Sequence, residues 1–435
     1  MLPNMILPMF LSLVTVDFAR GEKVDVTMAS WLVESWFQNS AIPNDTLLTI
    51  TLQNTPIYQK GWQGSFAHNP PSDPFSRSHE AVSNLQDSIA ALLHRGEKRL
   101  RENSLQLIKK VDPADLPVLL SATRAVFASF QAFWNQVCTS IQYGQEHVEK
   151  ENVQRYMEYG LETNFWIKFR PYLQCRSTRR IGPEIGGAKS WCNSEYFQSA
   201  TPQHFFSGGS GYDYVYESII YTWVPNARIV TADCFMNQEE VARSTGWKEE
   251  KFIFKENCLT GDLRGDVPKG FDNKFVTFSQ LLDDCKENYG IDSFNAIKVN
   301  IEASEYGMFG HIFHKNRSET LLKGTSHIHL EHHRMGMQRF GKSWASLLWS
   351  ELLWATFMSG GFHPVSTEKW HDSTACQDVE FVNQTWYLEA EMSAVRDIME
   401  YSGPISFVRY SEDIAQFECG EECQGFAATV SKSKK

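Results

Sequence analysis

The sequence contains no C-x-x-C pair, no H-E-x-x-H and no D-x-D triplet, and it has no surplus of positive charge. Each absence removes a class of function. Nine cysteines without paired spacing give no sign of a structural zinc site, and the missing H-E-x-x-H removes the helical zinc-protease signature. Without D-x-D the usual metal–nucleotide-sugar grip of lumenal glycosyltransferases is absent, which leaves only metal-independent enzymes of that class. Lys and Arg number 41 against 52 Asp and Glu, a formal net charge of −11. A nucleic-acid partner is thereby excluded, because phosphate binding needs a basic face. An uncharged small molecule or a cationic partner fits better, and a small-molecule or protein or glycan acceptor is expected.

Long apolar runs are scarce. Met5 to Val16 is the one run that stands out, and at about a dozen residues it is too short to span a bilayer, which takes ~20. It suits the apolar core of a secretory signal over residues 1–21, with Ala19 and Gly21 set three and one before a cut ahead of Glu22. The stretch before it has no Lys or Arg. No other stretch reads as a membrane span, so none is expected after cleavage. Asn44-Asp-Thr, Asn316-Arg-Ser and Asn383-Gln-Thr are glycosylation sequons that agree with this route. In the secreted or lumenal location this implies, some cysteines pair, and their odd number leaves at least one outside intramolecular disulfides.

What is present is a folded composition, 42% hydrophobic and 13% aromatic, over 435 residues. That length exceeds the size at which single cores stop growing, so one large domain with an appendage is expected. Residues 22–76 read as irregular, with "TLLTITLQ" strand-like, and "AHNPPSDPFSRS" reads as a linker. A helix follows with Val82, Leu85, Ile89, Leu92 and Leu93 on one stripe, broken at Asp112-Pro113. A second helix is expected from Ala114 to about Glu146 and a third from Val153 to Arg170. These make a mainly helical stem over 22–165, packed on itself or on the next domain. From about residue 200 short apolar runs alternate with helical segments: "HFFSG", "ARIVTAD", "KFIF", "NAIKVNI", "HIHLEHH", "FHPVS" and "VEFVN". Such alternation predicts an α/β domain with a mostly parallel sheet, over 166–418, before a tail at 419–435.

Three places carry candidate chemistry. Gly208, Gly209 and Gly211 follow a strand and precede a helix, where glycines let a ligand approach the backbone. Asp233 closes the next strand, at the spacing from which an acid hydrogen-bonds a ribose in nucleotide-binding folds. "FNAIKVNIEASEYGMF" gathers Asn300, Glu302 and Glu305 at the mouth of a later strand. In open α/β sheets ligands bind outside the carboxyl ends of the strands. On "HIHLEHH" the residues His327, His329, Glu331 and His333 share one face. Ile328 and Leu330 are expected to pack on the other, with Glu331 and His333 lining the cleft.

In order along the chain, "CRSTRRIGPEIGGAKSWC", "FFSGGSGYDYVYE", "VTADCF", "AIKVNIEASEY", "IHLEHH" and "CQDVEFVN" resemble the methyltransferase-like proteins of the methyltransferase-like 24 type. The similarity covers about residues 170 to 385. It implies a Rossmann-like class I methyltransferase fold with S-adenosylmethionine as donor. It also implies donor contacts from Ser207, Gly208, Gly209, Ser210, Glu217, Asp233 and Asn300, a disulfide between Cys175 and Cys192, and no metal. In-line transfer from a sulfonium depends on orientation, and an oxygen acceptor also needs a base, for which Glu302, Glu305 and His333 are the candidates. The sequence departs from the family at Asn300, where the family has Asp, and at Ala303, where it has Gly. Gly208 replaces an aromatic residue and Tyr212 a glycine. Those departures leave open a second function, a glycoprotein that keeps the fold as a binding or scaffold module without turnover. The acceptor is not legible.

Overall fold

The computed structural model describes residues 25–42, 79–148, 169–181, 189–193, 203–261, 274–333, 344–369 and 376–402, apart from short gaps at 170, 212, 246, 248–249, 302–303 and 314–316. The signal, the strand-like "TLLTITLQ", the linker, the third helix and the C-terminal tail expected from the sequence lie outside these residues. So do the Asn44 and Asn316 sequons.

The chain enters through α1 (Val26–Gln38), α2 (His79–Ile108) and α3 (Leu116–Val148), the last preceded by a short 3-10 turn. Helix α1 corrects the reading of this region as irregular. Asp25 caps it by accepting the Met28 N–H at 2.8 Å, and Ala29, Leu32 and Val33 recur at helical spacing on its buried side. A hairpin follows, β1 (Thr178–Ile181) and β2 (Lys189–Cys192). Then come β3 (Gln203–Gly208), α4 (Val215–Trp223), β4 (Ala227–Ala232), α5 (Gln238–Thr245) and β5 (Phe252–Lys255). A small parallel pair, β6 (Cys258–Thr260) and β7 (Phe275–Thr277), leads to α6 (Phe278–Tyr289). The remainder is β8 (Ala296–Val299), α7 (Glu305–Phe313), α8 (Ser318–Leu321), β9 (His327–His333), α9 (Trp344–Ser359), β10 (Phe362–Lys369), β11 (Cys376–Asn383) and α10 (Gln384–Ser402).

Among the described residues, seven strands form one sheet in the order β10-β11-β9-β8-β3-β4-β5. The five from β9 to β5 run parallel, and β11 pairs antiparallel with both β9 and β10. The protein is therefore mixed α/β, with a mostly parallel central sheet flanked by helices. From β3 the chain builds outward through β4 and β5, then returns to add β8 and β9 on the other side. The order reverses between β3 and β8, where an open sheet has its crevice.

One sheet face, with Phe206, Val230, Ile297, Ile328, Leu330 and Phe381, merges into a single apolar core with α2, α3, α6, α7 and α9. The N-terminal helices thus share the core of the α/β part. Arg99 of α2 donates to the Gly360 carbonyl at 2.8 Å, and Ser129 of α3 hydrogen-bonds His363 of β10 at 3.1 Å. Within this arrangement Pro113–Ser140 is long and apolar enough to cross a membrane by length and composition, which corrects the sequence reading that no such stretch follows the N-terminus. Its apolarity has a local cause: Leu119, Val126, Phe130, Phe133 and Val137 are all buried in the core.

The opposite face is different. Its half near β3, β4 and β5 is apolar, built on Phe205, Ile229, Phe252 and Tyr216. Its half near β9 and β11 carries His327, His329, Glu331 and His333 beside Cys376, Asp378 and Glu380 in register. The β1–β2 hairpin approaches this polar half. Lys189 of β2 pairs with Asp378 at 2.5 Å, the Cys192 N–H donates to Glu380 at 2.7 Å, and the Trp191 ring lies 4.4 Å from that of His329. A disulfide joins Cys175 to Cys192, the pair that the family resemblance implies, and a second joins Cys234 to Cys258. Two disulfides agree with folding in an oxidising compartment. Among the described residues, Cys138, Cys285 and Cys376 have no disulfide.

Burying this many ionisable groups makes stability depend on pH. Burial lowers His327 and His332 to about 3 and His363 to about 4, and drives His329 well below the ordinary 6.5. Unfolded, these four take up protons below 6.5 that the folded chain refuses, so stability falls as pH drops from there. Burial also raises Glu97 to about 7 and Glu380 to about 8 from the ordinary 4.5. Those protons are lost on unfolding above 4.5, so the two acids lower stability as pH rises, each by about 1.4 kcal/mol per pH unit until its folded pKa is reached. Four histidines outweigh two acids below 6.5, and above it His333, whose folded pKa is raised, acts in the same direction as the acids. Thermal melts between pH 4.5 and 8 should therefore peak near 6.5, with Glu380→Gln flattening the alkaline side. A melting temperature that climbs steadily to pH 8 would contradict this.

Candidate functional site

At the switch point the backbones of the two strand ends lie against each other. The Asn300 N–H donates to the Gly208 carbonyl at 2.8 Å, and the Gly209 N–H donates to the Ala232 carbonyl at 2.9 Å. Gly209 has φ +73°, and a Cβ built there would stand 1.6 Å from the Asn300 carbonyl oxygen. Only glycine allows this approach. Gly208 is less confined, since a Cβ there would meet the end of the Leu259 side chain at 2.8 Å, which can shift, rather than backbone.

Asp233 sits just past the end of β4, and its carboxylate is turned onto the glycine turn. Oδ2 accepts the Ser210 and Gly211 N–H groups at 3.1 and 2.9 Å, and Oδ1 accepts the Phe235 N–H at 2.9 Å. Three of about four acceptor positions are filled, which leaves one for a hydroxyl. The side chain of Phe235, two residues on, is 57% exposed at this same edge.

Ser207 and Glu217 point into the protein. The Ser207 hydroxyl donates to the Glu217 carboxylate, which comes from the first turn of α4, and both residues are fully buried. Lys298 completes this group. Its ammonium donates to the Gly209 carbonyl at 2.6 Å and stands 4.0 Å from Glu217, and burial lowers its pKa against the pull of that carboxylate. The Lys298–Gly209 bond fastens the turn to β8. These residues shape the turn from beneath.

The third group lies at the ends of β8 and β9. The Asn300 amide donates to Glu331 at 2.7 Å. His333 stands between two carboxylates, with Nδ1 3.0 Å from Glu305 and Nε2 3.4 Å from Glu331. Glu305, in the first turn of α7, also accepts the His333 backbone N–H at 2.9 Å. Although burial opposes the charge, the two carboxylates raise His333 well above 6.5. At neutral pH it is an imidazolium, a donor rather than the base that the sequence offered as one candidate. Hydrogen bonds from His333, with the charge on that ring, lower Glu331 to about 2 despite its burial.

Asn300, Glu305 and His333 are thus brought together, and Asn300 joins them to the glycine turn. Glu302 and Ala303 lie outside the described residues, as does Tyr212. The alternation expected on β9 holds for Ile328 and Leu330, which face the core. His327 and His329 lie beneath Trp191 and Trp386 rather than in a cleft. The sequence alone does not connect Cys376 to this cluster. It opposes His333 on the neighbouring strand, and only the antiparallel pairing of β11 with β9 reveals that. Asn383, the remaining described sequon, caps α10 by accepting the Thr385 and Trp386 N–H groups. No protein-family model and no curated protein matches the chain.

Proposed function

We propose that the chain is an S-adenosylmethionine-dependent methyltransferase-like protein of the secretory pathway, acting on an acceptor still to be identified. The observation that carries the reading is the assembly at the switch point. A glycine turn after β3 is held by the acid that ends β4, and Asn300 at the end of β8 closes the third side. A nucleoside needs a hydroxyl acceptor, an apolar surface for its base and polar backbone near its charged end. Asp233 has an acceptor position left for the first. Phe235 offers an exposed ring for the second, and the glycine turn supplies the third. The strand order, with antiparallel β11 beside β9, agrees with the class I methyltransferase fold that the resemblance implies.

For catalysis the reading relies on orientation. His333 is protonated and fixed on both sides, so it serves to hold an electron-rich acceptor atom rather than to remove its proton. Proton removal falls to Glu305, whose second oxygen has no hydrogen-bond partner among the described residues, or to Glu302.

Calorimetric titration of the purified protein with S-adenosylmethionine and S-adenosylhomocysteine tests the donor. Saturable micromolar binding is expected. Phe235→Ala should weaken it roughly tenfold or more, because stacking under a base is worth about 1–3 kcal/mol, while leaving the melting temperature unchanged. Absence of binding to the wild-type protein removes the donor and favours the scaffold reading. The engaged Asp233 carboxylate and the closed Ser207–Glu217 pair are the observations on that side.

A further inference from the structure

We propose that Glu331, His333 and Cys376 form a binding site for a divalent, thiophilic cation, zinc foremost. The three offer one carboxylate oxygen, one imidazole nitrogen and one sulfur, and these atoms all lie within 4.8 Å of one another. Around a tetrahedral zinc the ligand atoms stand roughly 3–4 Å apart, so a small contraction closes the set. The backbone supplies the geometry. Glu331 and His333 are two apart on β9 and therefore share a face, and Cys376 opposes His333 across the β9–β11 pairing. Three ligands on two hydrogen-bonded strands form a rigid platform, which suits a metal better than a set drawn from loops.

The surroundings match the same chemistry. A metal-bound histidine is normally oriented by a carboxylate on its other nitrogen. Glu305 does this in the present fold, with Oε1 3.0 Å from His333 Nδ1, which directs Nε2 toward Glu331 and Cys376. The ligand carboxylate is oriented as well, by the Asn300 amide at 2.7 Å. The Cys376 thiol hydrogen-bonds Glu331, so sulfur and oxygen already face each other. Asp378, next on that face of β11, is held by Lys189 at 2.5 Å and adds no fourth ligand. Three protein ligands with a fourth position for water or substrate are the pattern of a zinc that takes part in chemistry rather than one that only supports a fold. A mixed oxygen, nitrogen and sulfur set also selects zinc over magnesium or calcium, which take oxygen. The sequence pattern puts Glu331 and His333 on one face but does not bring in Cys376, 43 positions beyond His333.

Metal binding would displace the protons on His333 Nε2 and on the Cys376 thiol, so at this site it replaces the imidazolium role read for His333. The test does not need the donor and uses the metal alone. The purified full-length protein is stripped with a chelator and titrated with cobalt(II), then with zinc. One equivalent of cobalt is expected to give tetrahedral visible bands and a sulfur-to-cobalt charge-transfer band in the near ultraviolet, and zinc should displace it. Cys376→Ser should remove the charge-transfer band. His333→Gln should abolish stoichiometric uptake, and Glu305→Gln should weaken it roughly 10–100-fold while keeping the bands. No stoichiometric uptake by the wild-type protein, or a sulfur band that survives in Cys376→Ser, overturns the proposal. The cluster would then be a charged His333 between two carboxylates and nothing more.

Discussion

Gly209→Ala should be the most damaging single-methyl change at the strand ends. The added carbon would occupy a position 1.6 Å from the Asn300 carbonyl oxygen, and both partners are backbone, so no side chain can swing aside. Either the turn or the end of β8 must shift by more than an ångström. That shift breaks the Asn300-to-Gly208 hydrogen bond and pulls the Gly209 carbonyl from Lys298. The positive φ adds about 1–2 kcal/mol for a non-glycine residue, and overpacking of this kind adds about 1–3 kcal/mol more. Gly211→Ala is the matched control. Gly211 also has positive φ, +54°, but a Cβ there meets nothing within 4 Å among the described residues. It should lose only about 1 kcal/mol. Denaturant unfolding of the two variants beside wild type provides the comparison, and donor titration should show binding lost in Gly209→Ala. Equal loss of stability in both would mean that the contact with Asn300 does not exist.

What makes Gly209 visible in the sequence and the Asn300–Glu331 pair opaque is the range of the interactions involved. A glycine-rich turn between a strand and a helix is a local pattern, as is an acid at the end of the next strand, and both fall where the sequence predicts them. The alternation of β9 is readable because a strand has a period of two. The capping box of α6, Thr277 with Gln280, is just as local, and the helical pattern of "FSQLLDDCKENY" coincides with the helix itself. Other features depend on pairings that sequence distance hides. The hairpin strand Thr178–Ile181 is "TRRI", with no apolar alternation, and it exists because its partner β2 lies over the buried charges of β9 and β11. Helix α7 begins at Glu305, which the sequence presents as part of a turn. Its partner is His333, 28 residues away. Cys376 belongs to no local pattern at all.

Asn300 is where sequence and structure lead to different experiments. Against the pattern of the family that the sequence resembles it looks like a lost carboxylate, and restoring Asp would then strengthen the site. In the structure its amide donates to the Glu331 carboxylate at 2.7 Å. An Asp in that place would set two carboxylates against each other in a half-buried position and forfeit a hydrogen bond to a charged group. In the metal-free protein Asn300→Asp should therefore cost on the order of 2–4 kcal/mol and weaken donor binding, because the same residue closes the glycine turn. Glu331→Gln returns a donor to the pair but removes one of the two carboxylates facing His333. Asn300→Asp with Glu331→Gln should therefore recover part of the loss relative to the sum of the two single variants, a coupling that a double-mutant cycle measures directly. Asn300 is then one half of a compensated pair, and Glu331, a residue apart from the departures themselves, is the other half. If Asn300→Asp alone stabilises the protein or tightens the donor, with no coupling to Glu331, the amide is a loss and the scaffold reading gains. Strong coupling, with the second substitution restoring part of what the first removes, means that the pair was kept together, as expected of a site still in use.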